Sequence, residues 1–250
     1  MEEHEVQTSP QFYARIGGVL YLIIILIGSV GELFLRDSLI VSGDATATAQ
    51  RIMSSEFLWR VGTAAEYFLL ICAVPLLLIL YRLLKPVNRD LVLLAVFFNL
   101  VSITIEAVTS LSLMQTLSPL ANTNYLKVLD AQQLHALAYL AIKSHEDGFG
   151  VSLIFFGCFC IVVGYLILKS GYLPKIVGIL MQIAGVCYLT NSFALILSPS
   201  LAGRLFPAIL LPALVGEASL CIWLLVKGVN VSKWNARVSA KHALSTSSGA

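Results

Sequence analysis

The chain has 250 residues, of which 58% are hydrophobic and only 12% are charged, and its mean hydropathy is +0.87. Since about a quarter of the residues in a soluble domain are charged, this composition excludes an ordinary soluble domain and predicts a polytopic membrane protein. The formal net charge of +2 is small and no basic run with interleaved aromatic residues occurs, so nucleic acid is excluded as a partner. All five cysteines lie in apolar segments, which favours small buried thiols over disulfides or a zinc site.

Six apolar stretches predict six transmembrane helices in one all-α bundle, because each is long enough to cross a hydrocarbon layer of about 30 Å. The predicted bounds are 16–35, 61–81, 91–116, 151–168, 173–197 and 205–226. Residues 1–15 form a polar N-terminus that lacks the positive region of a signal peptide. Residues 227–250 form a basic, then Ser-rich tail, whose end we expect to be disordered.

Two connections on the outer side are longer than the others, and we expect a short interfacial helix in each. In the first, residues 37–60, Ser42, Gly43 and Asp44 can cap a helix over 45–53. In the second, residues 117–150, leucines recur at roughly helical spacing. The predicted fold is therefore a six-transmembrane-helix bundle with two short interfacial helices.

Basic residues predict the orientation of these spans. Ten of the sixteen lysines and arginines fall on the side that holds both termini, and six are spread over the longer loops of the other side. The positive-inside rule then places both termini in the cytoplasm of a multi-pass protein of the cell membrane.

Small residues in the fourth predicted helix indicate a packing face. Gly157, Cys160 and Gly164 recur at i, i+3 and i+7, so they share one side of the helix. Small side chains let a neighbouring helix approach closely, and we expect such a neighbour here.

Several short motifs carry a resemblance that covers about residues 12–230. They include Phe155-Phe156-Gly157, Gly164-Tyr165-Leu166, Ser170-Gly171-Tyr172-Leu173-Pro174, Leu80-Tyr81-Arg82-Leu83 and Lys85-Pro86-Val87-Asn88-Arg89. In these pieces the chain resembles the DUF4386 family of bacterial multi-pass membrane proteins. The resemblance implies a membrane architecture and no particular chemistry.

Four glutamates fall inside the predicted spans: Glu32, Glu66, Glu106 and Glu217. An acidic residue at the middle of a transmembrane helix costs about 2.5 to 3.5 kcal/mol, so these side chains need partners or protons. Asn99, Ser102 and Glu106 also form a polar stripe on the third helix, and Gln182 and Asn191 form a weaker one on the fifth. Of the acidic positions, we expect Glu106 to be the most sensitive to substitution.

Two interpretations of these groups remain open. They are either hydrogen-bonding side chains that hold the bundle together, or the lining of an acidic cavity that opens outward. The cavity hypothesis adds three residues from the long outer loop and two arginines that neutralise the site. The complete candidate set is Glu32, Arg36, Arg60, Glu66, Asn99, Ser102, Glu106, His145, Glu146, Asp147, Gln182, Asn191 and Glu217.

The sequence alone predicts an integral membrane protein whose partner is the lipid bilayer, with its ligand unknown and homo-oligomerisation left open. A structural or accessory subunit, a small transporter coupled to protons or cations through Glu106 and Glu217, and an intramembrane enzyme are the alternatives. The enzyme would use His145 with Glu66 or Glu106 as acid and base. Because no H-E-x-x-H, G-x-S-x-G or phosphate-loop motif is present, we expect no metal and no cofactor, and the enzyme alternative, which ranks below the other two, has no specific catalytic motif behind it.

Overall fold

The computed structural model describes residues 9–31, 36, 38–121 and 128–247, with the side chains of residues 30 and 242–247 left out. In these ranges all regular secondary structure is helical, which confirms the all-α expectation. The helices are α1 (Pro10–Val30), α2 (Ala45–Ser54), α3 (Glu56–Leu84), α4 (Arg89–Thr109), α5 (Leu111–Gln115), α6 (Ala131–Ser170), α7 (Lys175–Leu197), α8 (Pro199–Leu205), α9 (Leu210–Val226) and α10 (Val231–Ser247).

Within the described ranges, five helical stretches are long and apolar enough to cross a membrane. They are α1, α3, α4 together with α5, α6 and α7. The pair α8 and α9 passes the same test jointly but is bent by 57°, so it gives a sixth span if the two helices count as one. Such helices are consistent with a multi-pass membrane protein.

The last predicted span, residues 205–226, is broken near its start. Helix α8 ends at Leu205 and α9 begins at Leu210. Pro207 lies in the break and cannot donate a backbone hydrogen bond, so a continuous helix would be interrupted there. Pro212, by contrast, lies in the first turn of α9, where a missing N–H is tolerated.

Helix α6 corrects the prediction for the second long loop. We predicted a fourth span over residues 151–168 and a separate interfacial helix before it. That prediction is wrong, because residues 131–170 form one helix of 40 residues. Asp130 starts it through a capping box: its carboxylate accepts the backbone N–H of Gln133, and its own N–H donates to the Gln133 side chain. At about 1.5 Å per residue the helix is roughly 60 Å long, twice the thickness of a hydrocarbon layer.

The short helix predicted in the first long loop is observed. Predicted over 45–53, it is α2, and the Asp44 side chain caps it by accepting the N–H of Ala47 across 2.8 Å. In the tail, for which we expected disorder only at the end, residues 231–247 form α10, and residues 248–250 lie outside the described residues. Asn230 begins that helix, because its side-chain oxygen accepts the N–H of Lys233.

The chain divides into two compact units. Unit 1 comprises Met1–Leu22, Val74–Leu100 and Ile154–Ala250, and unit 2 comprises Ile23–Ala73 and Val101–Leu153. Each has its own polar cluster, described below.

Unit 1 is built on very close helix packing at paired glycines. A Cβ atom at Gly164 would lie 2.6 Å from the carbonyl oxygen of Gly178, and one at Gly185 would lie 2.5 Å from that of Gly157. The spacing of seven residues on both α6 and α7 therefore brings the two backbones into contact in antiparallel register. This confirms the close approach that Gly157, Cys160 and Gly164 predict.

Unit 2 packs around an apolar cluster. Leu39, Ile52, Trp59, Leu113 and Ile142 are buried together, and they come from five different segments of the chain. The Trp59 indole N–H donates to the carbonyl oxygen of Leu113 across 2.9 Å, so the polar atom of this large side chain is satisfied inside the cluster.

Candidate functional site

The first polar cluster lies in unit 2 and is centred on Arg36, in the connection between α1 and α2. Its guanidinium donates through Nη2 to Oε2 of Glu66 on α3. Through Nη1 it contacts Nε2 of His145 on α6 at 2.8 Å. The side chains of Arg36 and Glu66 are only 12% and 11% exposed, and His145 is 2% exposed. Three separate segments therefore meet at one buried, charged group.

The contact with Arg36 determines the protonation state and the tautomer of His145. A guanidinium has only donors, so Nε2 of His145 must be the acceptor, and the imidazole is neutral with its proton on Nδ1. The ring also stacks on Phe149 one turn later, with centroids 6.4 Å apart. In this arrangement the basic lone pair of His145 is occupied, so the ring holds Arg36 and has no free base to offer.

The space beside this cluster is small. A void of about 10 Å³ lies against Arg36 and is lined by Leu58, Trp59, Gly62, Thr63 and Leu113. That volume is close to the minimum for a single water molecule. The void does not hold a substrate.

The second polar cluster lies in unit 1 and is centred on Glu217 of α9. The hydroxyl of Tyr21 on α1 donates to its Oε2 across 3.1 Å, and the hydroxyl of Tyr188 on α7 donates to its Oε1. Both carboxylate oxygens are thus hydrogen-bonded, each from a different helix. Among the described residues no lysine, arginine or histidine forms an ion pair with Glu217.

Two polar atoms near Tyr188 in sequence are buried without a described partner. They are Oδ1 of Asn191 and Oγ of Ser192, both on α7. Asn191 follows Tyr188 by three residues, so the two lie on adjacent turns of one side of the helix. Buried polar atoms without partners are costly and often mark a place where water or a ligand completes the hydrogen bonding.

The remaining candidate residues fall in several places. Arg60 is on an exposed face, where it pairs with Glu56 at 2.7 Å and both side chains are more than half exposed. The cavity hypothesis therefore needs correction at this residue, which lies one turn from Glu56 and is neutralised there. The pair borders a groove of about 80 Å³ with Leu117 and Leu120.

His145, Glu146 and Asp147 are not loop residues, since all three belong to α6. Only His145 is buried. Glu146 forms an exposed pair with Lys143 at 2.6 Å, and Asp147 is exposed. A helix separates consecutive side chains by about 100°, so three neighbours cannot line one site.

The polar stripes are partly buried. Asn99 in unit 1 and Ser102 in unit 2 are buried, and Glu106 is half-buried on α4. Gln182 lies half-buried on α7. Glu32 falls outside the described residues. The structure thus joins Arg36, Glu66 and His145 in one cluster, and gives Glu217 separate partners.

Sequence reasoning missed Tyr21 and Tyr188. Both lie in apolar helices, and a tyrosine hydroxyl in such a place needs a hydrogen-bond partner. That requirement could have identified both tyrosines as candidate partners of a buried carboxylate. In the described ranges no three His, Cys, Asp or Glu side chains are grouped so as to hold a metal ion.

The family described as Domain of unknown function (DUF4386) matches residues 16–228. The chain belongs to the DUF4386 family. It is also 29% identical over 167 residues to an "Uncharacterized protein" of Archaeoglobus fulgidus, an alignment that covers 67% of this chain and 83% of that protein. No solved structure matched.

Proposed function

We propose that the chain is a multi-pass protein of the cell membrane with both termini in the cytoplasm. The five long apolar helices and the bent pair support it, together with the placement of ten of sixteen basic residues on one side. The test is a reporter fused after Ala250, combined with alkaline carbonate extraction of membranes. We expect the protein in the membrane pellet and the reporter active inside the cell. A reporter active only outside contradicts the topology, and a carbonate-soluble protein contradicts membrane insertion.

Within that membrane protein we propose a structural or accessory role for the buried polar groups. The observation that carries this proposal is the double contact of Arg36 with Glu66 and His145. Arg36 and Glu66 are paired, Nε2 of His145 is occupied and the adjoining void is water-sized, while Nδ1 of His145 is buried without a described partner. Such an arrangement holds three segments of unit 2 together through hydrogen bonds and an ion pair. It leaves no acid–base pair free for catalysis.

The structural role has a direct test in purified protein. Arg36→Gln removes a buried cation, and we expect it to lower the melting temperature in detergent and the yield of monodisperse protein. Arg60→Gln is the matched control, because it removes an arginine from an exposed pair that is worth little. Equal melting temperatures for the parent and both variants would contradict the structural role of Arg36.

A second candidate function, a small proton-coupled carrier, is favoured by the other cluster. Glu217 has two hydroxyl donors and no basic partner in the described part of the chain, and Asn191 and Ser192 hold unpartnered polar atoms on the helix that carries Tyr188. An ionisable residue within a membrane span is a natural site for a coupling proton. The bend between α8 and α9 also resembles the broken helices of transporters.

The carrier hypothesis is tested by proton flux with each of a panel of candidate solutes present, because a coupled carrier moves protons only together with its substrate. The full chain in liposomes that contain a pH-sensitive dye is given an imposed membrane potential. A carrier predicts proton entry in the parent that is lost in Glu217→Gln and kept in the exposed control Glu146→Gln. Solute-dependent proton flux that is equal in the parent and in Glu217→Gln contradicts the carrier role of Glu217.

A further inference from the structure

The two compact units differ sharply in charge. Unit 1 contains eleven of the sixteen basic residues and five of the fourteen acidic ones, whereas unit 2 contains five basic and nine acidic residues. Residues 227–250 contribute four lysines and arginines to unit 1 and no acidic residue at all. A surface of one sign attracts ligands of the other, so unit 1 is the place to look for an anionic partner.

Helix α10 arranges part of this charge in a regular row. Lys233, Arg237 and Lys241 recur every four residues and are all exposed, so they lie along one side of the helix. Val231 and Trp234 are half-buried on another side. We call the first three residues the α10 basic face.

Hydrogen bonds hold α10 against the ends of other helices in unit 1. The Trp234 indole N–H donates to the carbonyl oxygen of Leu83 at the end of α3, and the Lys241 ammonium donates to that of Lys85. The backbone N–H of Asn230 donates to the carbonyl oxygen of Tyr172 in the turn between α6 and α7. The α10 basic face is therefore fixed at the level where these helices end.

Tyrosines paired with basic side chains lie near the same helix ends in unit 1. Arg82 lies over the ring of Tyr13 at 5.0 Å, Lys85 lies over Tyr81 at 5.8 Å, and Lys169 lies over Tyr165 at 5.7 Å. Tyrosine and lysine or arginine together are typical of the boundary between hydrocarbon and headgroups. The α10 basic face thus lies where the phosphates of a bilayer would be.

We propose that the α10 basic face binds the phosphate groups of anionic phospholipids in the membrane that the protein spans. The proposal rests on the membrane insertion proposed above. Clusters of basic residues beside a membrane span attract anionic lipid through each added charge, by a factor of roughly five per side chain at low salt. Loss of all three residues should therefore weaken lipid binding on the order of 100-fold.

The experiment uses the purified full chain in a neutral detergent, titrated with phosphatidylglycerol or phosphatidylcholine and followed by native mass spectrometry. The test variant is the triple change Lys233→Gln, Arg237→Gln and Lys241→Gln. The matched control is Arg51→Gln, Arg60→Gln and Lys143→Gln, which removes the same charge from two exposed arginines and one half-buried lysine of unit 2. The single change Arg237→Gln serves if the triple variant does not fold, with a loss of roughly fivefold expected.

We expect phosphatidylglycerol to bind the parent and the control with equal affinity and the test variant much more weakly, with a steep dependence on salt. Phosphatidylcholine should not distinguish the three proteins. Equal phosphatidylglycerol affinity in the test variant and the control would overturn the proposal. So would equal competition by inorganic phosphate or by a single-stranded oligonucleotide, since either would assign the face to another anion. A carbonate-soluble protein would overturn membrane insertion itself, whereas a membrane-bound protein without lipid preference would overturn only this inference.

Discussion

Nη1 of Arg36 lies 2.8 Å from Nε2 of His145, joining the connection after α1 to the interior of α6. The contact explains why a histidine is buried at a position where its two neighbours, Glu146 and Asp147, are exposed. It also makes the histidine a fixed acceptor for a buried cation.

The first prediction concerns that contact. His145→Leu removes the acceptor from the guanidinium, and hydrogen bonds to charged groups are worth about 1.5 to 3 kcal/mol, so we expect the free energy of unfolding to fall by about that amount. Unfolding in mixed detergent micelles measures it. His135→Leu is the control, because His135 is half-buried and, among the described residues, its side chain has one polar contact, a weak one with Thr46 at 3.3 Å. Equal stability of the two variants would show that the contact contributes nothing.

The second prediction concerns the paired glycines of unit 1. Gly164→Ala places a methyl group 2.6 Å from the carbonyl oxygen of Gly178, so the two helices must move apart. We expect a loss of about 1 to 3 kcal/mol in unfolding free energy. Gly203→Ala on α8 is the control, because nothing lies within 4 Å of its added methyl group. A Gly164→Ala protein as stable as the control would contradict the close packing.

The third prediction concerns pH. Tyr172, in the turn between α6 and α7, is buried and donates to the carbonyl oxygen of Leu83 across 2.6 Å. Burial raises the pKa of this phenol, an effect that the nearby Arg237 partly opposes. A raised pKa in the folded state means that the neutral form stabilises the fold below the unfolded value of about 10, and that this contribution is lost as the pH rises further.

We therefore expect the melting temperature of the parent to fall more steeply above pH 10 than that of Tyr172→Phe, which has no proton to lose. At pH 7 the variant should be less stable, because the hydrogen bond to Leu83 is missing. Parallel melting curves across the whole alkaline range would show that Tyr172 does not titrate with unfolding.

The fourth prediction follows from the cysteines. All five are free, and Cys72, Cys160 and Cys221 are buried. We expect a reducing agent to leave the melting temperature unchanged. A clear drop on reduction would reveal a covalent link that the fold does not contain.

Local patterns predicted much of the fold. The seven-residue spacing of Gly157 and Gly164 indicated a close neighbour, and Asp44 indicated the start of α2. Helix α6 was missed because His145, Glu146 and Asp147 interrupt the apolar pattern, although Asp130 and Gln133 carried a readable capping box. An apolar stretch predicts which residues lie inside a membrane, but it does not predict where the helix ends. A helix continues past the apolar stretch as long as its backbone hydrogen bonds continue and no capping residue stops it.

The candidate site was predictable only as a set of residue types. A glutamate in a span needs a partner, and Arg36 was one of the two arginines expected to neutralise the candidate cavity, without a particular glutamate being named as its partner. Which arginine pairs depends on the rotation of helices about their axes, and single-sequence patterns do not encode that rotation. For the same reason Arg60 was included in the candidate cavity, although it pairs locally with Glu56. The expected sensitivity of Glu106 stays a prediction.

The most direct test of the account is a double-mutant cycle on Arg36 and Glu66, measured as the free energy of unfolding in mixed micelles. If the pair stabilises unit 2, Arg36→Leu should cost about 3 to 5 kcal/mol, because it leaves the buried Glu66 carboxylate without its cation, and Glu66→Leu should also destabilise the fold. The loss in the double variant should then be clearly smaller than the sum of the two single losses. The matched cycle on Arg60 and Glu56 should give a coupling below about 1 kcal/mol. Additive losses in the Arg36 and Glu66 cycle, or single variants as stable as the parent, would contradict the central claim.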